Sequence, residues 1–492
     1  MSTGQNQLKG IARARGVGSP FDRPRARWKR ILLRTAVEAR GRWWAFALPL
    51  LVYLLVGGTD SLALRQLLSG ELLVADIRWN PAADADSDAK FAAELAKQKY
   101  QILAYVWALA LLVGRIRAFL GFLRSDLWLA LACGVLALTA LSSDMPERVF
   151  ANLVHLGFGL LVVWIYLFDS RPRGDLVWSV GAVLAPPAAF TVAASLFVFL
   201  VNPNGGLYSL VDGARFGGIA GGPNALGGVA LLGTVAAIAL LIAPTGGRSA
   251  RVCGALLLAM SGAAIVVSGS ATSSALAAMA VLWLLLRFAY RRLPPRGRAA
   301  TIMVGAVLVA VVLMWAVVQQ SAEDVVADTT AAVGKDVSLT GRVDLWAAAL
   351  SAFEARPVLG WGYDNHATVL SDRRYEIPYV QYHNGYLDNL VVGGSLLGAA
   401  IFCCFAAFAG RALRGVARGI DVYLFVVAFA VAALHNMTEY SLFRAGTSVF
   451  TLWLLGYVGL QLSLQVGARP LRARARRRSA VRRRSRRRVS WG

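Results

Sequence analysis

Charge is what this chain has least of. Only 16% of its 492 residues are Asp, Glu, Lys or Arg, against about 25% in a soluble domain, and mean hydropathy is +0.56. A conventional water-soluble enzyme is thereby excluded. Cysteine is almost absent: Cys133, Cys253, Cys403 and Cys404 all fall inside apolar segments without metal-ligand spacing, which excludes a disulfide framework. No glycine-rich phosphate loop follows a strand, so nothing supports use of a nucleoside triphosphate. What is abundant instead is apolar run after apolar run, each long enough to cross about 30 Å of hydrocarbon. Helical spans fit these runs better than short alternating barrel strands.

The net charge of +24 suggests nucleic acid until it is located. Residues 1–42 carry eleven Lys or Arg against Asp22 and Glu38, and residues 465–492 carry twelve Arg and no acid. The remainder is nearly neutral. Basic tails beside membrane spans mark the cytoplasmic side and are drawn to anionic lipid. The tails therefore read as solvated anchors, and no nucleic-acid partner is expected. The first apolar run, from Trp43, follows a long basic arm and reads as a retained span, not a cleavable signal.

The expected fold is an all-α polytopic membrane protein of about twelve helices. They fall near 43–58, 102–114, 127–141, 149–168, 176–201, 224–243, 252–268, 272–290, 300–318, 384–409, 420–435 and 447–464. Residues 1–42 and 465–492 form basic cytoplasmic tails around a transmembrane domain, 43–464. With the N-terminus inside, Arg115/Arg117/Arg124, Arg171/Arg173, Arg248/Arg251, Arg291/Arg292/Arg296/Arg298 and Arg411/Arg414/Arg418 all fall in cytoplasmic loops, as the positive-inside rule requires. An even span count returns the C-terminal tail to the same side.

The opposite face carries loops at 59–101, at 202–223 and, longest, at 319–383 between the ninth and tenth helices. That last loop holds nine acids against five bases. Within it, 339–362 predicts a helix starting at Thr340, with Trp346, Leu350 and Phe353 at helical spacing and Pro357 as a stop. Such an amphipathic helix is expected to lie against the outer membrane face. The spans lack ionisable residues near their centres, apart from His155.

Chemistry-bearing residues gather in the outer loops. Arg215 lies in the glycine-rich stretch 213–228, just before Pro223 and Asn224 open the sixth helix. A cation beside a helix N-terminus suits phosphate, although an arginine reaching for lipid headgroups is the plainer reading. Arg342 opens the helix of the long loop, where a pair with Asp344 or a lipid phosphate is the alternative. Arg356, Arg373, Arg374 and Arg444 are further external arginines that no rule ranks. His383 begins the tenth helix, where a neutral imidazole can take a proton from a hydroxyl. Asn384 and Tyr386 add polar groups beside it, and Asp388 stands one turn in, where it could orient the ring. The alternative is an interfacial aromatic belt with Tyr379 and Tyr382.

The other outer-face groups carry less. His366, His383 and His435 lack zinc-motif spacing. The acids at 84–88 lack the glycine and the glutamate of a calcium loop. The serines at 268–274 lack a neighbouring base. No metal and no cofactor is expected.

Four stretches in this order, "ARFGGIAGGPNALG", "VVSGSATSSALAAM", "LTGRVDLWAAAL…PVLGWGYDN" and "YHNGYLDNLVVGGSLLG", with the weaker "LHNMTEYSLFR" after them, resemble the O-antigen ligase/polymerase superfamily of bacterial membrane glycosyltransferases. They span residues 214 to 398 and then 434–444; the first 200 residues match only in hydropathy. The resemblance implies about twelve helices and glycan transfer from undecaprenyl pyrophosphate to an acceptor hydroxyl. The acceptor would be another glycan or lipid A-core, and polysaccharide export proteins would be partners alongside membrane lipids.

By motif position, Arg215 and Arg342 match the arginines that hold the donor pyrophosphate, and His383 matches the histidine of the family's His-Asn pair. Asn384, Tyr386, Asn224, Asp388 and Arg444 would line the substrate site. Two departures stand out: Gly269 follows Ser268 where the family usually has arginine, and Gly394 to Gly398 is a four-residue step where three is usual. The expected location is the bacterial inner membrane, with both termini cytoplasmic and the site periplasmic. Polymerase is the alternative within the class. A flippase, with a helix broken at the "APP" of 185–187, is the alternative outside it.

Overall fold

The computed structural model describes residues 43–74, 78–79, 88–170, 175–210, 213–292, 340–363 and 382–465. Contacts divide the chain into Met1–Ala47 and Leu48–Gly492. Of the first unit only the opening of α1 (Trp43–Gly58) is described.

The rest is almost wholly helical: α2 (Ser61–Ser69), α3 (Glu71–Val74), strand β1 (Arg78–Trp79), α4 (Asp88–Val113), α5 (Ile116–Ser125), α6 (Leu127–Leu138), α7 (Pro146–Ser170) and α8 (Leu176–Val201). After these come strands β2 (Leu207–Leu210) and β3 (Gly213–Phe216), then α9 (Pro223–Ile242), α10 (Arg248–Ser268), α11 (Ala271–Arg292), α12 (Thr340–Ala355), α13 (Gly385–Ala417) and α14 (Tyr423–His435). The last is α15, Ser448–Gln465.

Among the described residues, seven helices are long and apolar enough to cross a membrane, or up to nine if each sharply bent pair is one span. The expected third and eleventh spans are helices but short ones, α6 and α14. The expected ninth, 300–318, lies outside the described residues. The expected second belongs to the longer α4, which turns through 93° into α5. Pro186 and Pro187 sit inside α8 without ending it, so the helix break foreseen at 185–187 is absent.

The core is α9, flanked by α8, α10, α11 and α14. Nearly every residue from Leu226 to Leu240 is buried, and the small residues of this helix let neighbours approach closely. Beside it an aromatic stack joins α13, α14 and α15: Phe408 lies on Phe429 at 3.8 Å between ring centres, and Trp453 on Tyr457 at 5.0 Å. One feature went unforeseen from sequence, a three-stranded sheet in the order β1-β2-β3. β2 and β3 form a hairpin that sets Arg215 opposite Tyr208, inside the stretch read as a glycine-rich loop.

The described helix α13 is broken. Gly394 has φ 62° and ψ −166°, and the backbone of 357–362 inserts at the break. Trp361 and Gly362 donate to the Val391 and Val392 carbonyls at 2.9 and 3.0 Å, and Ser395 and Leu396 donate back to Pro357 and Val358 at 2.7 and 3.4 Å. Irregular backbone is tolerated at membrane depth only where protein groups satisfy it, and here one stretch of chain does so. The register departure at Gly394 thus marks a real interruption in the helix.

The helix of the long loop starts at Thr340 as expected. Leu345, Ala348, Ala349 and Ala352 pack with Tyr382 and Val391, whereas Leu350 is exposed.

Candidate active site

The residues singled out in sequence lie on strand β3 (Arg215), at the starts of α9, α11, α12 and α13, and in the turn after α14. Asn384 is the N-cap of α13, its side-chain oxygen accepting from Tyr386 N–H and Leu387 N–H at 3.0 and 3.2 Å. Such a cap is worth about 1 kcal/mol. His383, just before it, has φ 49°. A left-handed backbone is uncommon for a residue with a side chain, and strain of this kind collects at functional sites. It turns the imidazole away from the helix toward the loop that follows α14.

There it meets Glu439. The His383 Nδ1 lies 3.3 Å from Glu439 Oε2, while the other carboxylate oxygen accepts from Asn224 Nδ2 at 2.6 Å. One carboxylate therefore bridges the first turn of α9 and the start of α13. The loop that presents it is locked by Asn436, whose side-chain oxygen accepts from Ser441 N–H at 2.9 Å and Leu442 N–H at 2.6 Å. Gly385 N–H donates to Asn436 O at 2.8 Å. A Cβ at Gly385 would stand 2.2 Å from the Asn436 side-chain oxygen, so the α13 start can approach this closely only as glycine.

The α10–α11 turn closes the other side. Thr272 Oγ1 and Thr438 Oγ1 are 2.9 Å apart, one residue from Glu439. Gly269, with φ 61°, ends α10, and its carbonyl accepts a long hydrogen bond of 3.4 Å from Arg215 Nη1. Arg215 is exposed, and no carboxylate pairs with it among the described residues.

The other sequence candidates divide. Arg342 falls in the first turn of α12, and its side chain lies outside the described residues. One turn on, Trp346 donates its indole N–H to the carbonyl of Tyr382 at 3.1 Å, which ties that helix beside His383. Tyr386 donates to the Ala433 carbonyl at 2.7 Å and sets its ring against Phe405, joining α13 to α14. Asp388 is fully buried and accepts from Tyr382 N–H at 3.2 Å. The carboxylate that meets the imidazole is Glu439 instead. Arg444 is exposed and lies over the Tyr440 ring at 5.5 Å.

Arg356 turns out to be structural: it covers the Trp361 ring at 3.9 Å and donates to Ser142 O. His366, Arg373 and Arg374 lie outside the described residues. Sequence reasoning passed over Glu439. Its signal was an acid at the end of an apolar run in a chain short of charge.

No curated protein sequence matches the chain. Residues 255–403 match the family model described as O-antigen ligase, a stretch that runs from α10 to the middle of α13 and includes Gly269, Arg342 and His383. Over that stretch, about a third of its length, the chain is similar to the O-antigen ligase family, and its described residues include seven helices long and apolar enough to cross a membrane.

Proposed function

We propose that the protein is a glycosyltransferase that moves a glycan from undecaprenyl pyrophosphate to an acceptor hydroxyl, at the periplasmic face of a bacterial inner membrane. One observation carries the reading: Arg215 and Asn224, from one sequence motif, and His383, from another, are connected through contacts of Gly269 at the α10–α11 turn, of Thr272 with Thr438, and of Glu439. An exposed guanidinium beside a helix N-terminus is suited to a lipid diphosphate. As the sugar–oxygen bond breaks, negative charge grows on the departing pyrophosphate, and fixed cations stabilise that charge more than the ground state. Pyrophosphate leaves readily, so the scheme needs no triphosphate.

In this scheme His383 takes the acceptor's proton, Arg215 and Arg342 hold the donor, and attack opposite the leaving group inverts the anomeric centre. Ligation to lipid A-core and polymerisation of repeat units share this chemistry and differ in acceptor. The lipid-linked donor and glycan acceptor are the class of substrates that the family match supports.

Purified protein supplied with lipid-linked glycan and acceptor tests the reading. Release of undecaprenyl pyrophosphate is expected from the wild type, and its loss is expected in Arg215→Ala and His383→Ala. His383→Gly separates chemistry from strain, because glycine suits φ 49° without cost; it should be equally inactive and at least as stable as the alanine variant. Glycan movement without bond cleavage would instead indicate a flippase.

A further inference from the structure

We infer that Glu439 is the positioning residue that fixes the imidazole of His383 in the form a base requires, an assignment that rests on the reading of His383 as the acceptor's base. A carboxylate oxygen accepts hydrogen bonds. Glu439 Oε1 takes one from the Asn224 amide, and Oε2 faces Nδ1 of His383 at 3.3 Å. With Oε2 accepting, Nδ1 carries the hydrogen, and the neutral ring keeps its lone pair at Nε2. The amide of Asn224 prevents the carboxylate from rotating, and the glutamate is itself nearly buried, at 8% exposure. The left-handed backbone at His383 sets the ring from the other side. Ring nitrogen, carboxylate and amide thus form a relay in which Nε2, the ring nitrogen remote from Glu439, is the base.

The step balances as follows. The acceptor hydroxyl gives its proton to Nε2 as its oxygen forms the new bond to the anomeric carbon. The bond from that carbon to the pyrophosphate oxygen breaks, and its electron pair leaves on the lipid pyrophosphate. The imidazolium that results is stabilised by the Glu439 carboxylate, which stays unprotonated, and the proton then passes to water. No oxidant, metal or triphosphate enters. Asn224 gains a distinct role: it holds the carboxylate, which holds the base.

Glu439→Gln tests this in the full-length protein with lipid-linked glycan. The glutamine oxygen still accepts from Asn224, but its amide now donates to Nδ1, which drives the ring hydrogen to Nε2 and removes the base. We expect kcat to fall by about 100-fold or more, KM for the donor to stay within about threefold, and Glu439→Asp to recover part of the loss. The chain has only four histidines, so ring-labelled nitrogen spectra resolve the tautomer directly. His383→Gly identifies the signal, which should be Nδ1–H in the wild type and Nε2–H in Glu439→Gln.

A Glu439→Gln protein with near-wild-type kcat, or with an unchanged ring tautomer, overturns the assignment while leaving His383 in place. Full turnover by His383→Gly overturns the underlying reading instead. Should Glu439→Gln fail to fold, the wild-type tautomer alone decides, and Nε2–H in that spectrum is against the assignment.

Discussion

Replacing Gly394 by alanine places a Cβ where the chain has no room for one. The residue's φ of 62° with ψ −166° lies in a region that essentially only glycine occupies, at a cost of about 1–3 kcal/mol for other residues. The added carbon would also stand 2.2 Å from the carbonyl oxygen of Val358 and 2.3 Å from its carbon. These are backbone atoms and cannot swing aside. Relief requires 357–362 to retreat from α13, which breaks at least the Ser395–Pro357 and Leu396–Val358 hydrogen bonds, each worth about 1 kcal/mol. The total is about 3–5 kcal/mol, a large share of the 5–15 kcal/mol or so that holds a typical folded protein together.

Gly410, in the same helix with nothing within 4 Å of its Cβ position, is the control. Alanine there should be neutral or stabilising by about 0.5–1 kcal/mol. Thermal denaturation of the purified variants in detergent, read as the fraction that stays monodisperse, compares the two. A Gly394→Ala protein within about 1 kcal/mol of wild type would refute the stitched break as a structural element.

Two further outcomes follow from the end of α13 remote from His383 and from the tail. Asp126 is buried and pairs with Arg411 at 2.9 Å, the side chains being 0% and 10% exposed; it also accepts from Tyr457 OH at 3.0 Å. Removing one partner of such a pair costs about 3–5 kcal/mol, so Arg411→Ala should lower thermal stability markedly while the folded fraction keeps its kcat. Selective loss of kcat without loss of stability would contradict that. Deleting residues 469–492 should change membrane level or orientation only, and a well-inserted truncated protein that no longer turns over would be against it.

Much of the helix pattern is legible in the sequence, because a membrane helix satisfies its own backbone and needs only a long apolar run. The expected sixth helix, 224–243, differs from α9 by a residue at each end, and Thr340 marks the start of α12. What is not legible depends on partners distant along the chain. The β2–β3 hairpin reads as loop because glycines dominate its surroundings. The break at Gly394 depends on the backbone of Val358 and Leu359, which no local pattern announces. For the candidate site, Arg215 and His383 stand out in the sequence as chemistry out of place, a cation and an imidazole at an apolar boundary. The link between His383 and Asn224 is not legible, because Glu439 lies 56 residues from the one and 215 from the other. Asp388 was the nearer acid in sequence, yet it faces the Tyr382 amide.

The bridging carboxylate also bears on how the protein is made. The ribosome delivers Arg215, Asn224 and His383 before residue 439, so a nascent chain can insert most of its helices while the imidazole still lacks its carboxylate neighbour. Only after α14 has turned and the following loop has closed on the start of α13 are the pieces connected. Synthesis order by itself thus leaves the contact between His383 and Glu439 to form last, after the other helix ends of the site are in place.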